Sequence, residues 1–550
     1  MYSDTSILLI DNEPVEWTAG VAATLGSRLS RATEEHAEVL RFQSDGALPH
    51  DTTLEWRVEI SPEARLLVPT YQGVVERRRL DRMMPVEFRG PGWQPALRDA
   101  QRLSLPYVLL EDGDGVELVG TDPAFTTRFD VHVDARQPHL AVSWTYRAPA
   151  GAHDQERRLV RFRAPDPQSA VTAWFANATP DVPPGPAWLH EIALQDYDYF
   201  SNNGDGWFAD LDATATFVAP DDRHRALFTL HGWYDEVGRY CFDDEEHQLE
   251  EAWTVFPHID SEELLARELV QQPENNLPRA YAFRNLRDHR SIELGWNQVR
   301  DRLTYARDLG FRTGFYLITG LMALGDRDEH LQDGTGLAAE AVLWIGPDAV
   351  GPTYLMNPTH PAVREKILAV TDALLDKVGD LVDAFVIDEA YYIGYGELAP
   401  ASCPGYADQA QATLIREIAA RCHAFRPSLA LLTADHLGTQ TLEGKAYPYS
   451  LFADGIYHDA WCHAQPWGAS LLPAWRNVVW SCNWAPQSEI LNTKWAVLAH
   501  DAPIALSNGC FGDDIGIAEM TPESRELIVD LWQTKMSRTR QRGLTIVDVD

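Results

Sequence analysis

Two different periods of apolar and polar residues run along this chain of 550 residues. From about residue 5 to 165 apolar and polar positions tend to alternate. The runs 54–60, 64–71, 127–135, 139–148 and 156–164 read as strands, with turn sequences such as 111-EDGDG-115 and 120-GTDP-123 between them. Few helical periods interrupt this text, so the pattern predicts an antiparallel β-sandwich over residues 1–165. The stretch 166–189 is rich in Pro and Ala, and predicts a linker with one short helix.

From residue 190 strand-like and helical runs alternate. Apolar strand candidates are 226–233, 280–286, 312–320, 383–390, 429–436, 451–460, 477–484 and 503–510. Helical periods lie between several of them. The run 260–270 has Asp260 as N-cap and acidic residues in its first turn. The run 297–310 stops at Gly310, and 360–379 carries Pro361 near its start and Gly379 at its end. The runs 406–425 and 522–538 complete the set. Eight strands with intervening helices predict a (β/α)8 TIM barrel over 190–550. A doubly wound open sheet would carry a glycine-rich phosphate turn after a strand, and the sequence has none.

A barrel presents its chemistry at the C-terminal ends of its strands. The sharpest candidate is 383-DAFVIDEAYYIGYG-396, where a buried apolar run ends in Asp388 and is followed by Tyr391. A carboxylate held rigidly at the end of a buried strand suits a nucleophile or general base. The sixth candidate strand offers two further carboxylates. Asp459 lies at the rim if the strand ends near Tyr457, and Asp454 is the residue presented if Gly455 is a bend. Asp435 and His436 end the fifth candidate strand. Trp233 and Asp235 follow the first, as a stacking platform and a hydroxyl binder, and Trp461 and Trp484 are stacking candidates at later strand ends. Two carboxylates from different strand ends in an aromatic-lined mouth are the equipment of a glycoside hydrolase, which needs no cofactor.

Charge and composition narrow the partners. The chain carries 82 acidic and 46 basic residues, a net charge of −36. That repels polyanions, so neither nucleic acid nor an anionic membrane is an expected partner; the carbohydrate partner is expected from the strand-end carboxylates and aromatic residues, not from the charge. The N-terminus lacks the basic region of a signal peptide, no stretch approaches the length of a membrane helix, and the 6 cysteines are scattered without a CxxC pair. These features predict a cytoplasmic protein with reduced cysteines.

The order of elements, with an Asp ending strand four after an apolar run and another Asp near strand six, resembles the retaining α-glycosidases of the α-galactosidase (melibiase) and α-glucosidase superfamily. The phrases LGFRTGFYL (309–317) and NPTHPAVREKI (357–367) ahead of DAFVIDEA (383–390) are similar to passages of that superfamily. The resemblance implies a barrel enzyme in which Asp388 is the nucleophile and Asp459, or failing it Asp454, the acid/base. Val386 stands where the superfamily usually has a lysine two residues before the nucleophile. Two rivals remain. One is a carbohydrate-binding protein without catalysis. The other is a metal-dependent barrel hydrolase using His436, His458, Asp459 and His463, though the sequence has no HExxH. Segment 201–212 faintly echoes a calcium loop, and a surface turn is the simpler expectation for it.

Overall fold

The computed structural model describes the elements named below. Passages outside the described residues include 231–241, 251–292, 324–341, 389–406, 436–452, 460–477, 483–503 and 543–550.

The first part of the chain forms two antiparallel sheets. One has six strands, with Ser6–Ile10, Thr52–Glu59 and Ala141–Ala148 at its centre. The other has eight, among them Tyr107–Asp112, Gly115–Thr121 and Asp154–Ala164. The turn read at 111–115 is a tight hairpin: Asp112 pairs with Gly115, and Gly115 takes a positive φ of 132°. The Asp112 carboxylate accepts the Asp114 N–H at 2.8 Å. Helix α1, Pro167–Ala178, falls in the stretch expected to be a linker. It packs on the larger sheet, burying Ala170, Val171 and Trp174, with the Trp174 ring 5.0 Å from that of Tyr107. Half of the expected linker, its expected short helix, is therefore a layer over the sheet, because its apolar residues recur at helical spacing and have a face to bury.

The second part alternates strands and helices. The strands are β1 (Leu194–Asp198), β2 (Ala226–Leu230), β3 (Arg312–Ile318), β4 (Ala384–Asp388), β5 (Ala430–Asp435), β6 (Gly455–Asp459), β7 (Val478–Cys482) and β8 (Ile504–Asn508). They form one sheet in the order β7-β6-β5-β4-β3-β2-β1-β8, and every pair is parallel. Helices α2 (Gly206–Ala215), α3 (Trp296–Asp308), α4 (Pro361–Val378), α5 (Ala407–Phe425) and α6 (Pro522–Arg542) flank it.

The sequence explains the helices. In α3, Trp296, Val299, Leu303 and Ala306 are buried on one stripe, and Gly310 ends the helix in the left-handed region at φ 94°. Helix α4 begins at Pro361, its N-cap His360 accepts the Ala362 N–H at 3.3 Å, and Val363, Ile367, Leu374 and Val378 face the core. Helices α4 and α5 are also clamped at the surface by Arg364–Glu417 and Arg421–Asp372 ion pairs at 2.5 and 2.7 Å. No described helix is long and apolar enough to cross a membrane.

The strand count needs one correction. The run expected as strand one is β2, and the true first strand is Leu194–Asp198, which the apolar pattern misses because it reads LQDYD. The expected strand at 280–286 and helix at 260–270 lie outside the described residues.

Candidate active site at the strand ends

The sheet has two faces, and the pairing register says which residues share each. Along β4 the residues 384, 386 and 388 lie on one face. Register pairs carry that face to Gly314 and Tyr316 on β3, to Thr229 on β2, to Gln195 on β1, to Leu432 on β5, and to 455, 457 and 459 on β6. The opposite face meets the helices. There Phe228 packs edge-on against Trp207 of α2 at 6.2 Å and against Phe311 at 5.0 Å, and Phe315 meets Phe385. The face that holds positions 388 and 459 is thus turned away from the helical layer.

Asp388 is the last residue of β4 and pairs with Ile318, while Asp459 is the last residue of β6 and pairs with Cys482. Both lie at C-terminal strand ends, two strands apart, and the register puts them on the same face. Asp435 also ends its strand, but it pairs with His458 and belongs to the opposite face. The parity takes it away from the pair, since successive residues of a strand alternate between faces.

Asp454 is elsewhere. It precedes β6 at the N-terminal end of the strand, away from Asp459, and is 2 % exposed. Its Oδ2 accepts the Leu431 N–H at 2.7 Å and meets His423 Nε2 at 2.9 Å. Its own N–H donates to the Leu431 carbonyl at 2.8 Å. The hydrogen bond that the His423 imidazole donates to the Asp454 carboxylate holds its pKa above the usual value, with burial opposing. Asp454 therefore joins the starts of β5 and β6 to α5, and it does not stand with the strand-end candidates. The neighbouring Cys422 thiol is fully buried, which pushes its pKa up and makes it a poor nucleophile.

Trp233, Asp235, Tyr391, His436, Trp461 and Trp484 lie outside the described residues, as do His463 and most of the passages that follow the strands. Among the described residues no group of three or more His, Cys, Asp or Glu side chains is arranged to hold a metal ion. The faint calcium-loop segment is neither a loop nor a turn over its second half. Residues 206–212 belong to α2, where Asp212 accepts from the Tyr305 hydroxyl at 2.7 Å and Asp210 accepts the Ala518 N–H at 2.7 Å. The strand end that sequence reasoning missed is that of β1, with Asp196 buried within the strand and Asp198 closing it. The signal was present as an Asp-x-Asp directly ahead of 199-YF-200, but so short and polar a strand shows no apolar period.

No protein-family model matches the chain, and no curated protein matches it significantly. Solved structures do. A GH31 family sulfoquinovosidase from E. rectale, in complex with an aza-sugar inhibitor, is similar with a TM-score of 0.52 and 10 % identity, over 96 % of this chain and 75 % of that one. A GH31 dextranase from Flavobacterium johnsoniae, complexed with glucose, is similar with a TM-score of 0.50 and 10 % identity, over 95 % of this chain and 60 % of that one. An α-galactosidase from Thermus thermophilus is 14 % identical over 92 % of this chain and 94 % of that one, with a TM-score of 0.42. At these identities what the chain shares with the sulfoquinovosidase and the dextranase is the fold.

Proposed function

We propose that this chain is a glycoside hydrolase. It cleaves an α-linked O-glycosidic bond with retention, at the C-terminal mouth of a closed (β/α)8 barrel that follows an N-terminal β-sandwich. The observation that carries the reading is the register relation between Asp388 and Asp459.

Closure of the sheet is supported by arithmetic on its register. Followed through the pairs from β1 to β7, the rank of Leu194 passes 226, 311, 381, 427 and 450 and arrives at 473. Ile504 of β8 pairs with Leu194 on the other side. A barrel with a shear of about eight residues would seat Ile504 opposite position 481, inside β7, and β7 and β8 are indeed in contact. The same shear advances the level by about one residue per strand. The rank of 388 falls at 457 on β6, so the level of 388 falls at 459. Asp388 and Asp459 then occupy one layer of the barrel, contributed by alternate strands.

Two strand spacings are about 9.6 Å between backbones. The retaining reaction requires the two carboxyl groups to stand about 5–5.5 Å apart, and inversion about 6.5–9.5 Å. In the proposed reaction Asp388 attacks the anomeric carbon, the bond to the leaving oxygen breaks, and Asp459 donates its proton to that oxygen. Water then attacks the glycosyl–Asp388 ester while Asp459 takes its proton, which restores both carboxyl groups. Trp233, Asp235, Tyr391, His436, Trp461 and Trp484 are proposed to line the sugar site, and no cofactor takes part.

The test is hydrolysis of aryl α-glycosides by wild type and by Asp388→Asn, with the first-released anomer followed by NMR. The expected result is turnover by wild type with the α-anomer released first, and none by the variant. Wild-type-like turnover by Asp388→Asn would overturn the nucleophile assignment. A β-anomer released first would replace retention by inversion. Saturable sugar binding without turnover on any glycoside would make the chain a binding protein.

A further inference from the structure

The face of the sheet turned away from the helices is not uniformly apolar beneath the proposed carboxylate layer. On β4 and β5 it carries Ala384, Val386, Ala430 and Leu432, all fully buried. On β1 to β3 it carries Gln195, Thr229, Gly314 and Tyr316, with the apolar Leu227 beside Gln195. Gln195 is 1 % exposed and Thr229 is 0 % exposed. Neither the amide oxygen and nitrogen of Gln195 nor the Thr229 hydroxyl makes a hydrogen bond with any described residue. The two are diagonal neighbours, since Gln195 pairs with Leu227 and Tyr197 pairs with Thr229.

Three buried polar atoms without partners on one patch are costly, because each forfeits the hydrogen bonds it makes in water. A polar patch of this kind is where proteins hold internal water, which needs two to four polar partners. Position 314 fits the same picture. A Cβ built there would lie 2.5 Å from Thr229 Oγ1, so only glycine lets that hydroxyl reach across to β3.

We propose that Gln195 and Thr229 form an internal hydration site in the barrel. It binds one or two ordered waters on the β1–β3 side, with Thr229 in the layer below the strand-end carboxylates. The hydroxyl and the amide supply one donor and acceptor set each, and the waters satisfy both. The inference rests on the barrel reading and not on the glycosidase reading.

Thr229→Val tests it, because the exchange keeps shape and removes only the hydroxyl. With water held between the two residues, the variant leaves that water a partner short, and Tm falls by a few degrees. With no water there, the variant removes an unpaired hydroxyl, and Tm stays or rises, which would overturn the proposal. A crystal structure of the wild-type chain at high resolution is the second measurement. Solvent peaks within about 3 Å of the Gln195 amide and Thr229 Oγ1 support the site. A dry cavity, or a direct bond between the two side chains, would overturn it. Neither readout involves a glycoside, so an inactive protein can pass and an active one can fail.

Discussion

At the scale of single residues, the two carboxylates of the sixth strand separate by position. Asp459 closes the strand at the proposed mouth and Asp454 precedes it at the other end, buried against Leu431 and His423. Their variants should therefore differ in kind. Asp459→Ala removes the proposed proton donor. Its kcat should drop by about 10²–10⁴-fold on glycosides whose leaving group needs a proton, and far less on an activated aryl leaving group such as dinitrophenolate. Asp454→Asn keeps an oxygen for the Leu431 amide, so the folded variant should keep wild-type turnover on both substrates. A pattern in which Asp454→Asn is inactive and Asp459→Ala active would reverse the assignment. The sequence told these two apart only conditionally, through where the strand ends. Side-chain chemistry is the same for both, and what differs is the register with β5, a property of pairing that no local pattern encodes. Asp388 was easier to read because the apolar run Ala384 to Ile387 ends sharply against it.

At the scale of elements, long apolar runs and capped helices were legible, and short polar elements were not. Strands β3 to β8 and helices α3 to α6 follow from periodicity, Pro361 and Gly310 because each buries a stripe or face over several residues. Strand β1 was missed because Gln195 and Asp196 break its apolar run, and α2 because it is short. The junction of α5 with β5 and β6 adds a pH-dependent contribution. The His423 imidazole is stabilised in its protonated form by Asp454, so its folded pKa lies above its unfolded value. The sign follows from linkage: the folded state holds the proton more tightly. The stabilisation is complete below the unfolded pKa of about 6.5, and is lost as pH rises through the folded value. His423→Gln should therefore lower Tm relative to wild type at pH about 5.5, with the gap narrowing as pH is raised above about 6.5. A gap that widens with pH would show that the ring is neutral in the fold. At β3, Gly314→Ala should destabilise by about 1–3 kcal/mol through the clash with Thr229, and Thr229→Ala in the same chain should recover most of that loss in a double-mutant cycle.

For the molecule as a whole, the proposed barrel requires the eight-stranded parallel sheet to curl rather than lie open. Trp188 contributes to this. It stands just ahead of β1, yet its indole N–H donates to the Ser428 carbonyl ahead of β5 at 2.9 Å. The Arg312 guanidinium at the start of β3 lies over its ring, 4.5 Å from the centroid. Arg312 is fixed in turn by Asp383 ahead of β4 at 3.4 Å and by the His224 carbonyl ahead of β2 at 3.0 Å. One side chain and its cation thus tie the starts of β1 to β5 together at the N-terminal end of the sheet, as a curled sheet needs. The end so tied lies away from the strand ends that carry Asp388 and Asp459, so in the proposed barrel stability and chemistry fall on different rims. Trp188→Ala should then cost about 3–5 kcal/mol by removing a large, nearly buried side chain. In a domain of this size that lowers Tm by roughly 10 °C. At temperatures where the variant is still folded, kcat and KM on an aryl glycoside should match wild type, because the rim that is loosened is not the one proposed to react. An unchanged Tm would mean that the sheet closes without this clamp. A changed KM in the folded variant would mean that the two rims are not independent.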